Sequence, residues 1–145
     1  MSTTQESYQH PRVGVGVVLR QDKDLVLLGK RRGSHGAGEW AFPGGKPELW
    51  ESPEEGGARE LLEECGLVGR DYKQLPYWTN DMFPEWGRHF ITLYLQAWSL
   101  GGQPQLLEPD KCAEWRWFSW GSLLTTEEPL FPGVRALALA VPELG

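Results

Sequence analysis

Three glutamates define the chemistry this sequence can do. Glu60, Glu63 and Glu64 are spaced i, i+3, i+4, so on a helix they share one stripe. The helix is legible over residues 52–65. Ser52 suits the N-cap, Pro53 the first helical position, and Glu55 completes a Ser-x-x-Glu capping box. Gly66 stands where a C-terminal cap belongs. The opposite stripe, Ala58, Leu61, Leu62 and Cys65, is apolar and is expected to face the core. Carboxylates at these spacings repel by roughly 0.2–0.5 kcal/mol per pair. On periodicity alone the acidic stripe reads either as a solvated face or as oxygen ligands for a hard divalent cation. Mg²⁺ takes a few carboxylates together with water and phosphate oxygens. Arg59 can pair with Glu51 in the preceding loop, and Gly44 and Gly45 let that loop approach closely with backbone oxygens at hand.

A second set of residues could handle the rest of a ligand. Lys30, Arg31 and Arg32 end a β-rich run beside the Gly-rich loop KRRGSHGAG, and read as exposed strand-end charges or as contacts to an anion. His35 in that loop is either a plain polar residue or a base contact, and Thr92 either a β-branched strand former or a pocket wall. Phe83 and Trp86 lie in the turn-rich stretch TNDMFPEWG, packing beneath it or rimming a pocket where a flat base stacks. Other signals fail. GVGVVL lacks the third glycine of a dinucleotide fingerprint, and GGKP has Pro47 where a phosphate loop needs Ser or Thr. His10, His35 and His89 are too scattered to argue a nucleophile–base–acid grouping. Cys65 belongs to the apolar stripe.

The elements that must position these residues fit one domain. Strands are expected over residues 13–19, 25–29, 39–42, 74–79, 88–99 and 114–119, with a closing helix over 132–141 and a loose tail over 1–11. Residues 12–145 then form a single α/β or α+β unit. Its 145 residues suffice for one core. The longest apolar runs fall far short of the about 20 residues a membrane helix needs, and no signal peptide is legible. Fourteen Lys and Arg against 20 Asp and Glu give a net charge of −6, which argues against a general nucleic-acid binder. Cys65 and Cys112 have no CxxC spacing, so a disulfide scaffold and a Cys-rich zinc site are excluded and a reducing cytoplasm is expected. Eight Trp supply flat rings for packing or for stacking on a base.

In order, Gly45, Glu51, and then the string Arg59 to Leu67 (RELLEECGL) match G-x5-E-x7-R-E-U-x-E-E-x-G-U, U being aliphatic, at every defined position over residues 45–67. The chain therefore resembles the Nudix hydrolases of the MutT-like branch. VGVGVVL, LLGKRRGSHGAGEWAFPGG, HFITLYL and EPDKCAEWRWFSW extend the likeness to the cytosolic nucleotide triphosphate diphosphatases. The resemblance implies an α/β/α sandwich with a mixed sheet between helices. It also implies Mg²⁺ or Mn²⁺ as cofactor, and hydrolysis of a nucleoside triphosphate to monophosphate and pyrophosphate. Carried over by position, Gly44, Glu60, Glu63 and Glu64 would hold metal, and Glu51 and Arg59 would brace the loop. One glutamate would serve as general base, and one of Glu108, Asp110 and Glu114 would add a further ligand. Arg31 is the residue the resemblance points to for phosphates or base. The implied partner is a small nucleotide, with neither nucleic acid nor membrane, and a homodimer is left open. Rivals are an ADP-ribose, nucleotide-sugar or dinucleoside polyphosphate hydrolase, with Pro84 near a marker of the first, and a non-catalytic sensor, which would be expected to lose box glutamates.

Overall fold

The strand β1 (Arg12–Gln21) alternates between two cores, Val17 and Leu19 facing one and Val18 the other. The computed structural model describes residues 9–144; most of the expected tail, residues 1–8, lies outside the described residues. After β1 come β2 (Leu25–Arg31), β3 (Trp40–Ala41), β4 (Gly44–Gly45), α1 (Pro53–Cys65), β5 (Gly69–Phe83), β6 (Arg88–Ser99), β7 (Cys112–Ser119) and α2 (Pro132–Ala140). Strand order is β3-β2-β1-β6-β5, with β4 also on β1 and β7 also on β2. The β1–β6 pairing is parallel and the others antiparallel, so the sheet is mixed. Leu61 and Cys65 of α1 join Val17, Leu19, Leu27 and Ala97 on one face. On the other, Val134, Leu137 and Ala138 of α2 join Val18, Val26, Leu28 and Tyr94. This is the expected mixed sheet between helices.

One feature of register opens the molecule. The β1–β2 hairpin keeps only two pairs, Arg20 with Val26 and Gln21 with Leu25. Past them β2 stays with β7 and β3, while the freed edge of β1 is taken by β4, Val15 opposite Gly45 and Gly16 opposite Gly44. Val17 N–H donates to the Pro43 carbonyl at 2.7 Å, continuing that seam. The two strands therefore part, and the gap between them becomes the site.

Three sequence expectations need correction. Residues 44–45, read as loop, form β4. The 74–79 strand runs from Gly69 to Phe83, so most of TNDMFPEWG is strand, not turn. Among the described residues β5 pairs only with β6, an edge position that tolerates Pro76 and the many polar residues that hid it. Leu62 is 52% exposed, because the buried line of α1 runs through Gly56, Gly57, Leu61 and Cys65. Glycines, invisible to a hydrophobic count, carry the helix flat against the sheet. A Cβ on Gly57 would sit 2.7 Å from Leu95 Cδ1 and 3.1 Å from Val17 Cγ2. Gly57→Val is expected to overpack this contact and lower unfolding free energy by roughly 1–3 kcal/mol. Denaturant titration checks it; an unchanged midpoint means the helix does not rest on that glycine.

Candidate active site

The gap between β1 and β2 encloses a cavity of about 530 Å³, in the range that holds a small organic ligand. One end is acidic. Ser52 and Glu55 form the expected capping box, and the Gly66 N–H closes the helix onto the Leu62 carbonyl. The helix so fixed presents Glu60 and Glu64 to the cavity, with Glu108 and Asp110 also lining it. Gly44 N–H donates to Glu64 Oε1 at 3.2 Å. A Cβ on Gly45 would collide with the Glu60 carboxylate, so β4 must be glycine there to let the side chain in.

Burial is the first cause of strain on these acids. It pushes Glu60 up to about 7, with Glu63 and Glu108 adding repulsion and Arg59 opposing it. Burial likewise pushes Glu64 up to about 8, reinforced by Glu60 and Glu108. Crowded, half-desolvated carboxylates favour a cation among them. Among the described residues no three such groups already converge as a closed cage. An all-oxygen donor set supplying only part of a coordination sphere fits Mg²⁺, which keeps room for water and phosphate.

Arg59 braces this end from outside the cavity. Its Nε and Nη2 donate to Glu51 Oε2 and Oε1 at 2.9 and 3.1 Å, a two-pronged pair across the loop. Nη2 also donates to the Lys46 carbonyl at 3.1 Å, and Nη1 to Glu63 Oε1 at 3.2 Å. Glu63 is half-exposed and does not line the cavity. Glu114 pairs with Arg116 and also stays outside.

The other end is aromatic. His35, Phe83, Phe90 and Phe131 cluster there, His35 lying 4.3 Å from Phe83 and Phe83 5.4 Å from Phe131 between ring centroids. Arg31 bridges the two ends. Its Nε donates to the His35 carbonyl at 2.8 Å, its Nη2 lies 3.1 Å from His35 Nε2, and its guanidinium lies 4.6 Å from the Phe131 ring centroid. Arg31 can only donate, so His35 Nε2 accepts, and Nδ1 carries the hydrogen shared with Ser34 Oγ at 3.0 Å. Burial, then the charges of Arg31 and Arg88, push His35 down to about 4, keeping the ring neutral.

The sequence candidates Lys30, Arg31, Arg32, His35, Gly44, Gly45, Glu60, Glu64, Phe83, Thr92, Glu108 and Asp110 thus share one cavity. Trp86, in a short 3₁₀ turn, does not reach it. The sequence reading missed Asp81, Phe90, Tyr94 and Phe131. Strand alternation across the β5–β6 register, Thr79 opposite Thr92 and Asp81 opposite Phe90, is the signal that places the first three on one face.

Comparison with known proteins agrees with this architecture. Residues 10–137 match the NUDIX domain. The chain is 31% identical to the 8-oxo-dGTP diphosphatase of Escherichia coli (strain K12) over 104 residues, 64% of this chain and 75% of that one. It is 42% identical to the RNA pyrophosphohydrolase of Hamiltonella defensa subsp. Acyrthosiphon pisum (strain 5AT) over 77 residues, 51% of this chain and 45% of the relative. The match thus covers under half the length of that relative. The crystal structure of MutT NUDIX hydrolase from Burkholderia pseudomallei superposes with a TM-score of 0.81 at 29% identity, covering 92% of this chain and 99% of that one. The chain belongs to the Nudix family.

Two outcomes follow from the geometry. Arg59→Ala should lower the melting temperature at neutral pH by releasing the loop. The Arg59 hydrogen bond holds Glu51 below its ordinary value of 4.5, so this stabilisation is present above that pH. It is lost as pH falls through the lowered folded value. The difference in Tm between wild type and variant should therefore close in acid; a pH-independent gap removes the ion pair as its cause. For His35, ring ¹⁵N shifts should report a neutral Nδ1–H tautomer at pH 6 and protonation near pH 4. Because that value is depressed, the group's contribution to stability is complete above 6.5 and lost as pH falls below it. A ring titrating near 6.5 contradicts the buried contact with Arg31.

Proposed function

We propose that this chain is a Mg²⁺-dependent nucleoside triphosphate pyrophosphohydrolase, releasing a nucleoside monophosphate and pyrophosphate, with Mn²⁺ an alternative cofactor. The observation that carries this reading is one cavity joining the buried Glu60–Glu64 pair, the Arg31 guanidinium and an aromatic cluster. Charge, phosphate contact and a stacking surface lie in the order a nucleotide presents them. The E. coli relative, named 8-oxo-dGTP diphosphatase, supports the same class.

In this reading Glu60 and Glu64, with the Gly44 carbonyl and Glu63 at the exposed margin, hold the metal. When bound it neutralises phosphate charge and lowers the cost of forming a nucleophile from water. Glu60 or Glu63 takes the proton of the attacking water. Arg59 and Glu51 keep loop and helix in register, and Arg31 steadies the phosphates against the rings. The metal also lets a chain of net charge −6 accept a polyanion. All box glutamates are in place, as a catalyst needs and a sensor does not. Pro84, the pointer toward ADP-ribose, begins the 3₁₀ turn away from the cavity lining. A reducing cytoplasm suits the buried free thiols of Cys65 and Cys112.

The test is pyrophosphate release from nucleoside triphosphates with and without Mg²⁺. Glu64→Gln keeps volume and removes charge; it should cut kcat by roughly 100-fold or more, several kcal/mol of transition-state stabilisation, with the fold intact by circular dichroism. Near-native turnover in that variant would falsify the assignment of the acidic end.

A further inference from the structure

Asp81 is a buried carboxylate, 7% exposed, on the aromatic side of the cavity. Its surroundings are hydroxyls. Thr79 Oγ1 and Thr92 Oγ1 both donate to Oδ2, at 2.8 and 2.6 Å. Thr79 has one hydroxyl hydrogen, so the 2.6 Å contact with Tyr94 must be donated by the tyrosine. Three hydroxyl hydrogens thus run toward one oxygen of Asp81. Among the described residues no cation pairs with it, and Oδ1 accepts no hydrogen bond while remaining open to the cavity. An acceptor that faces the cavity with no protein donor on it is available to a donor on a ligand.

We propose that Asp81 is the specificity-determining residue of this cavity, reading a purine edge that carries two neighbouring N–H donors, the edge guanine presents through N1–H and its 2-amino group. The inference rests on the nucleotide reading above and adds the base. The site has acceptor character alone, because the threonine hydrogens are already committed to Oδ2. Adenine turns a ring-nitrogen lone pair toward such an oxygen beside its single amino group, and is repelled. Gly14 and Gly16 of β1, beside Thr92 and Tyr94, line the same cavity as Asp81. Phe83 and Phe90 line the same space with aromatic surface.

The experiment is calorimetric binding of four monophosphates to the full chain with Mg²⁺: GMP, IMP, N1-methyl-GMP and AMP. GMP should bind roughly 10- to 100-fold tighter than AMP, the scale of a hydrogen bond to a charged group. IMP, lacking the 2-amino group, should fall between, and N1-methyl-GMP should drop to the level of AMP. Asp81→Asn should erase the difference between GMP and AMP, with folding checked by circular dichroism. The wild-type series decides the matter even if that variant does not fold. AMP binding as tightly as GMP, or indifference to the N1-methyl group, overturns the proposal. Pyrophosphate release from the matching triphosphates separates the two readings. Binding order retained without turnover supports the base assignment and removes the hydrolytic one. Turnover of every base at one kcat/KM removes the base assignment and leaves the hydrolytic one standing.

Discussion

Everything at this site depends on how β1 divides its hydrogen bonds. One edge is spent on β6 over nine successive parallel pairs, from Arg12 with Phe90 to Arg20 with Trp98. The other edge serves β2 for two pairs and is then surrendered to two glycines. Had the hairpin zipped along its length, the sheet would be continuous and the chain would have a core but no cavity. Backbone polar groups must find partners when buried, so β4 is what makes the parting of β1 and β2 affordable. The same two glycines bring backbone to the carboxylates of α1. Opening the sheet and equipping the opening are one structural event.

Electrostatics sets the second requirement. Glu60 and Glu64 are pressed together at the cost of desolvation, and the fold meets that cost with directional restraint. Arg59 reaches Glu51, Glu63 and the Lys46 carbonyl at once, so loop and helix are tied by a rigid planar cation. At the other end Arg31 is gripped by backbone and ring of His35 and leans on Phe131. Two arginines thus perform different tasks, one holding protein to protein and one turned toward the ligand space.

The sequence was most informative where chemistry and local structure coincide. Glu60, Glu63 and Glu64 announce a helix, a charged face and a spacing in a single stretch, and its caps at Ser52 and Gly66 are local devices. Leu62 was misplaced because burial of α1 follows Gly56 and Gly57, whose contribution is the absence of a side chain. β5 was under-read because its edge position permits lysine, glutamine and proline, which blur alternation. Asp81, Phe90 and Phe131 belong to three separate segments that only the β5–β6 register and the docking of α2 bring together. Trp86 stood in the right stretch, yet the 3₁₀ turn carries it away.

The cavity draws its two ends from differently organised parts of the chain. The acid end is built largely from one continuous run, Gly44 to Glu64, in which each residue constrains the next through the loop, the cap and the helix. The aromatic end is assembled from β5, β6, the His35 loop and the residue before α2, separate stretches of chain whose rings meet by side-chain contact. A substitution in the first must satisfy the whole run, whereas one in the second alters a single wall. Such a molecule can change what it recognises in small inherited steps while the machinery for handling charge stays frozen, and selectivity is the property most open to drift.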